Sequence, residues 1–369
     1  EPDSNELVKM EQELRDAMES GVFGMSSGLV YPPGCYAKTE ELITLCKIVR
    51  EYNGIYATHM RNEGNELEAA LNETINISKE SGVKSQVSHI KTWGEKNWWK
   101  IDKIERMLKG ARADGIDITC DRYPYTASAT DLDIILPDWV YEGGTAKEKK
   151  RLGDPLCRER IIKEMEQEGV SKEFWGTIMI SSVFNKDKRS YEGKTIAEIS
   201  TTLKVPPLEF VLDLLYEEDC RVSVIFFNMS EENLARILKW DFVMVGSDSS
   251  LRSLKGVLNY GKPHPRGYGT FSRVIRKYVN QTSILSIEDA IYKMTGFPAQ
   301  KLGLEDRGIL KEGFFADITI FDQETIAEQA TFTDPHNYSI GIKHVIVNGK
   351  LTINNGKHKS VMNGAILRK

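Results

Sequence analysis

Hydrophobic positions along the chain switch repeatedly between a helical and an extended period. In residues 4–20, Leu7, Met10, Leu14 and Met18 recur on one helical face, with Ser4 as the expected N-cap and Gly21 as the stop. VFGM (22–25) is a short apolar run, and Leu42, Leu45, Val49 and Tyr52 then form a second stripe. That second helix is expected to be capped by Thr39, to carry Glu40 and Glu41 in its first turn, and to end at Gly54. IYATH (55–59) predicts a strand, 65–81 a helix stopped by Gly82, SQVSHI (85–90) a strand, 98–114 a helix and IDITCDRY (116–123) a strand. Successive strands are about 30 residues apart, the size of one βαβ unit. This α/β alternation argues for a parallel sheet, and its even step favours a (β/α)8 TIM-type barrel over an open doubly wound sheet. No GxGxxG follows any of these strands, which weakens a dinucleotide-binding reading.

Residues 130–220 break the rhythm. They hold a charged helical stretch near 145–168, an isolated strand GTIMISSV (176–183) and a helix over 194–218 interrupted by Pro206 and Pro207. Their expected place is an insertion near the C-terminal face of the barrel, after which VSVIFF (222–227), a helix at 230–239 and FVMVGSD (242–248) restore the alternation. The tail differs again: 307–322 and 342–357 alternate with period two, and Asn348-Gly349 and Asn355-Gly356 are strong hairpin signals. Residues 1–305 therefore read as the barrel unit and 306–369 as part of a small β-subdomain.

Composition narrows the possible partners. A net charge of −5 offers no polyanion-binding field, and no apolar run reaches the roughly 18 residues of a membrane span, so neither nucleic acid nor a membrane is expected. Five widely spaced cysteines without a CxxC argue against a disulfide framework and for a cytoplasmic location.

The candidate chemistry lies where a parallel barrel has its mouth, at the C-terminal ends of strands. His59, His89 and Asp248 each close an apolar strand there. Imidazole nitrogen is a good zinc ligand, and a neighbouring carboxylate can both bind a metal and take a proton from metal-activated water. The loop GKPHPRGYGTF (261–271) adds Arg266, whose guanidinium suits a carboxylate. Tyr123 and Tyr125 sit at a strand end, and Tyr31 lies in the loop SSGLVYPPG (26–34).

Taken in order, GMSSGLVYPPG, YATHMRNEG, QVSHIK, DRYPYTA, MVGSDSS, KPHPRGYGTF, DRGILKEGFFADITIFD, DPHNY and VNGK resemble the N-acyl-D-amino-acid deacylases (D-aminoacylases) of the amidohydrolase superfamily. The resemblance runs from about residue 20 to the C-terminus. It implies zinc-dependent hydrolysis of the amide bond of a small-molecule N-acyl-D-amino acid. It further implies that His59 and His89 are zinc ligands on strands five and six. Asp248, on strand eight, would be a metal-site residue and the general acid/base, and Arg266 would hold the substrate carboxylate, helped by Tyr123 and Tyr31. Where the family carries a substrate-contacting serine after YPYTA, Ala129 stands, beside Ser128. Two alternatives accompany this reading: an amidohydrolase acting on a cyclic amide, and an inactive truncated barrel.

The second alternative has a sequence basis. The chain has no His-x-His pair, and Cys35 lies in the PPGCYA loop rather than where the family places a cysteine ligand. Counted back from His59, residues 22–26 would be strand four, so the expectation is a C-terminal piece of a longer deacylase, poorly stable or self-associating through unpaired edges.

Overall fold

The structure is a computed structural model that describes residues 2–167 and 171–369. The first helix, α1 (Ser4–Glu19), is capped by Asp3 rather than Ser4, and the Glu6 side chain returns to the Asp3 backbone in a capping box. It leads into β1 (Gly24–Gly28), α2 (Thr39–Glu51), β2 (Ile55–His59), α3 (Leu67–Ser81), β3 (Lys84–Val87), α4 (Ile101–Ala113) and β4 (Ile118–Arg122). Lys38, not Thr39, occupies the cap position of α2. Gly82 ends α3 with φ +69°, the left-handed conformation that glycine adopts without a Cβ penalty. The helix expected over 98–114 is instead a 3-10 stretch at Glu95–Lys100 followed by α4.

The chain then leaves the parallel unit. β5 (Ala127–Asp131), α5 (Thr145–Leu152), α6 (Pro155–Gln167), α7 (Lys172–Gly176), β6 (Ile178–Val183), α8 (Ile196–Leu203), α9 (Pro207–Glu217) and β7 (Val222–Phe227) follow. The charged helical stretch near 145–168 is therefore two helices, and its last residue lies outside those described. β7 forms the centre of a separate antiparallel sheet in the order β5-β7-β6. VSVIFF thus does not restore the barrel alternation, contrary to the expectation above. Its apolar face closes a core of the insertion's own, with Leu132, Leu152, Ile161, Trp175 and Val211 packed against Val222, Val224 and Phe226.

After α10 (Glu231–Lys239), β8 (Val243–Val245) pairs directly with β4, so the parallel sheet runs β1-β2-β3-β4-β8. Among the described residues this five-stranded sheet does not close on itself. A core shared by α3, α4, α10 and the strands covers one face through Leu67, Leu71, Ile104, Leu108, Ile118 and Phe242. α11 (Arg266–Arg273), continued by a π-helical segment at 274–281, then α12 (Ile287–Met294) and α13 (Gly296–Leu302), lead into the tail. There β9 (Ile318–Phe321), β10 (Ile342–Val347), β11 (Lys350–Asn354) and β12 (Lys357–His358) form an antiparallel sheet in the order β12-β11-β10-β9. Both predicted hairpins are present: Asn348, Gly349, Asn355 and Gly356 all have positive φ, as a type I′ turn demands. Of the alternating run 307–322, only 318–321 is strand. Between β9 and β10 the chain returns to α11 and its π-helical continuation, where Glu328 pairs with Arg273 and Arg276, and Ser339 bonds Ser272.

Glu148 on α5 is 2% exposed, and its Oε1 has no hydrogen-bond partner. Burial, reinforced by Asp133 and opposed by Cys220 and Arg151, raises its carboxyl to about 7. A folded value above the unfolded one gives stability that is complete below about pH 4.5 and lost as pH rises towards 7, on the order of 3 kcal/mol. Glu148→Gln should therefore be more stable than the parent at pH 8 by a few kcal/mol, with the gap closing by pH 5 in urea titrations. A gap that ignored pH would refute this assignment.

Candidate metal centre

His59 ends β2, and the turn after it, Met60-Arg61-Asn62-Glu63-Gly64, is built residue by residue. Arg61 donates to the carbonyls of Cys35 (2.8 Å) and Ala37 (2.9 Å) and pairs with Glu73, which fixes the loop between β1 and α2. Asn62 accepts from the amides of Gly64 (2.9 Å) and Glu66 (3.0 Å), an Asx-type turn. A Cβ at Gly64 would stand 3.3 Å from both the Trp93 carbonyl and the Asn97 amide nitrogen, so glycine suits this approach. These contacts hold Glu63 over the end of β3.

His89 lies two residues past the end of β3, with φ +40°. Such a conformation is costly for histidine and needs an external hold. Asp121 of β4 provides it, accepting from the His89 amide at 2.9 Å while its other oxygen accepts from Gln86 at 2.8 Å. The His59 and His89 rings meet edge to face, 4.5 Å between centroids. Glu63 Oε1 lies 2.9 Å from His89 Nδ1, and Glu63 Oε2 lies 3.8 Å from His59 Nε2. One ligand atom from each of His59, Glu63 and His89 lies within 4.8 Å of the others; among the described residues no other such group of three forms. The Lys91 ammonium contacts Glu63 and lies 2.7 Å from His89 Nδ1.

The electrostatics suit a cation. Burial alone would raise the Glu63 carboxyl, but Lys91, His89 and His59 together hold it well below the usual range, so it is an anion. Burial lowers His59 to about 4, which leaves its imidazole neutral at pH 7, the form that binds metals. Imidazole nitrogens are donors that zinc accepts, and Glu63, bonded to His89 Nδ1, orients that ring and leaves its Nε2 for an ion.

The other sequence-predicted residues surround this group. The Tyr31 ring packs at a tilt beside His59, 5.1 Å between centroids, its hydroxyl bonded to Thr130 and kept protonated by burial, at about 12. The Tyr123 ring is 6.4 Å from His89 and lies under the Arg266 guanidinium at 4.6 Å. Arg266 Nη1 is 2.8 Å from Asp248 Oδ2, an ion pair without the alignment of a hydrogen bond. Asp248, three residues past β8 with φ +47°, stands outside the three-donor group, yet its charge acts on His59. Beside Arg266, buried His264 is held well below its usual range by burial. It bonds the Ala127 carbonyl (2.9 Å) and the Arg266 amide (3.0 Å), which anchors the loop. The sequence patterns had no way to single out Lys91, Asp121 or His264, and Glu63 was passed over. The one available signal was the HxxxE spacing of His59 and Glu63, which here belongs to a turn, not a helix.

Parallel βα units with histidines and a carboxylate gathered at the strand ends are an arrangement in which a metal ion can be held at the mouth of the sheet. A family model described as "Amidohydrolase family" matches residues 257–353. The chain is 33% identical over 349 residues to N-acyl-D-glutamate deacylase of Alcaligenes xylosoxydans xylosoxydans, covering 95% of this chain and 62% of that protein. A crystal structure of D-aminoacylase superposes with a TM-score of 0.81 at 30% identity, over all of this chain and 67% of that one. N-acyl-D-glutamate deacylase from Bordetella bronchiseptica, solved with zinc and a phosphonate mimic of the tetrahedral intermediate, gives 0.78 at 29% over 98% and 67%. The chain belongs to the D-aminoacylase family of N-acyl-D-amino-acid deacylases. It spans about three-fifths of the length of the curated relatives it matches.

No helix among the described residues is long and apolar enough to cross a membrane.

Proposed function

We propose that the protein is a cytoplasmic, zinc-dependent hydrolase that cleaves the amide bond of N-acyl-D-amino acids to a carboxylic acid and a free D-amino acid. The observation that carries this reading is the placement of the Arg266–Asp248 ion pair beside the His59–Glu63–His89 group. His59 and His89 would hold the zinc ion, and Glu63 orients His89 through Nδ1. When bound, zinc polarises an acyl carbonyl and lowers the pKa of water. Arg266, stacked on Tyr123, takes the substrate α-carboxylate and so fixes which face of Cα is presented. Asp248 accepts the proton from the attacking water and returns it to the leaving amine. Before substrate arrives, its ion pair with Arg266 keeps both groups in place.

The direct test is amine release from N-acetyl-D- and N-acetyl-L-amino acids by zinc-loaded protein. Turnover confined to the D series supports the proposal, and no turnover of any N-acyl-D-amino acid sinks it.

A further inference from the structure

The motif DPHNY (334–338) lies between β9 and β10 and contributes no donor to the metal centre. It sits against the loop 249–262, which begins directly after Asp248 and runs to the turn that carries Arg266. That loop has a short 3-10 turn at Gly256–Leu258, and its apolar side chains Leu251 and Val257 are exposed. A segment that buries so little of itself keeps one conformation only when groups outside it hold it there. Tyr268 of α11 donates its hydroxyl to the Ser253 carbonyl (3.0 Å) and lies 3.1 Å from His336 Nδ1. His336 Nε2 lies 2.9 Å from the Gly261 carbonyl. A carbonyl only accepts, so the ring carries a proton on Nε2. Through this pair both ends of the loop join one chain of hydrogen bonds. The motif is itself fixed to loop and helix, because Lys262 donates to the Thr333 carbonyl (2.6 Å) and Ser339 to the Tyr268 carbonyl (3.0 Å). A Cβ on Gly267 would stand 2.6 Å from Ser249 Oγ, which places the residue after Asp248 directly against α11.

We infer that His336 and Tyr268 are positioning residues that act through this loop on Asp248. The inference rests on the function proposed above, in which Asp248 moves the proton. Asp248 depends on the loop more than Arg266 does. Arg266 has a separate anchor, its amide on buried His264, whose ring is fixed to the Ala127 carbonyl. Asp248 stands past the end of β8 with φ +47°, its side chain 38% exposed and its carboxylate paired with Arg266. A left-handed conformation at a non-glycine residue persists only where its surroundings impose it. Freeing Ser253 and Gly261 would let the backbone at Asp248 relax, and a displacement of about 1 Å at a reacting group costs on the order of 10²-fold in rate.

Tyr268→Phe tests this, since it removes the hydroxyl and keeps the ring beside His336 and Tyr338. In the zinc-loaded protein, hydrogen exchange over 249–262 should accelerate while β2, β3 and β4 exchange as in the parent. The kcat for N-acetyl-D-amino acids should fall by about 10- to 100-fold, with KM changed by less than about threefold. In the Asp248→Asn background the same substitution should cost less than about twofold, because a residue that acts through another has nothing left to position. His336→Gln, whose amide can still donate to the Gly261 carbonyl, should recover part of the activity that His336→Ala loses. Unchanged exchange in Tyr268→Phe would overturn the inference whatever the turnover. Equal losses in the parent and Asp248→Asn backgrounds would overturn it too, since the effect would then be a general loosening. A parent that hydrolyses no N-acyl-D-amino acid removes the deacylase reading, and the exchange result still decides whether this pair holds the loop.

Discussion

Replacing His89 with alanine is expected to abolish zinc retention through dialysis and to lower deacylation by at least about a thousandfold, since Lewis-acid stabilisation is worth several kcal/mol. The effect should be this large because the site is small. Within the three-donor group only His59 and Glu63 would remain, and Glu63 is already engaged by Lys91. The fold should tolerate the change. His89 is buried, but its ring packs on His59 and Tyr123 at the sheet's end rather than within the apolar clusters. Glu63→Gln is the graded companion. It keeps a hydrogen bond to His89 while removing the charge, and metal affinity should fall by roughly 10- to 100-fold, as for other groups that orient a ligand histidine. Zinc stoichiometry by elemental analysis separates the two. Full metal occupancy in His89→Ala would contradict the assignment of this group as the metal centre.

Asp248→Asn should lower turnover by roughly 10²- to 10⁴-fold, the range of general acid–base catalysis, and leave zinc retention largely intact. Asparagine is the informative substitution because the site demands φ +47°, a conformation asparagine tolerates far better than most residues. It keeps the shape and the local backbone while removing the proton acceptor and the charge opposite Arg266. The loss should fall mainly on kcat. If it instead fell wholly on KM, Asp248 would be acting through Arg266 and not on the reacting water.

The helical and strand runs up to residue 123 were legible because each element buries one face, and burial of one face writes a period into the sequence. His59 and His89 stood out as candidates for a related reason: each is a polar, metal-capable residue closing an apolar strand run. The hairpins at Asn348-Gly349 and Asn355-Gly356 were legible from local backbone chemistry alone. VSVIFF was misplaced because an apolar strand shows that it is buried but not which sheet buries it. β7 meets β5 across 92 residues and β6 across about half that distance, and neither pairing leaves a local mark.

By itself, then, the sequence determined the βα cycle, its turns and the positions of Tyr31, His59, His89, Tyr123, Asp248 and Arg266 along it. Only the tertiary structure decided that these six side chains converge. It also decided that Glu63 turns back onto His89, that Asp121 holds His89 in its unusual conformation, and that His336 reaches the loop after Asp248. The physical reason is range. Periodicity and turn preference act over a few residues, whereas the electrostatics of the site come from charges brought together across 26 residues for Glu63 and His89 and 32 for His89 and Asp121.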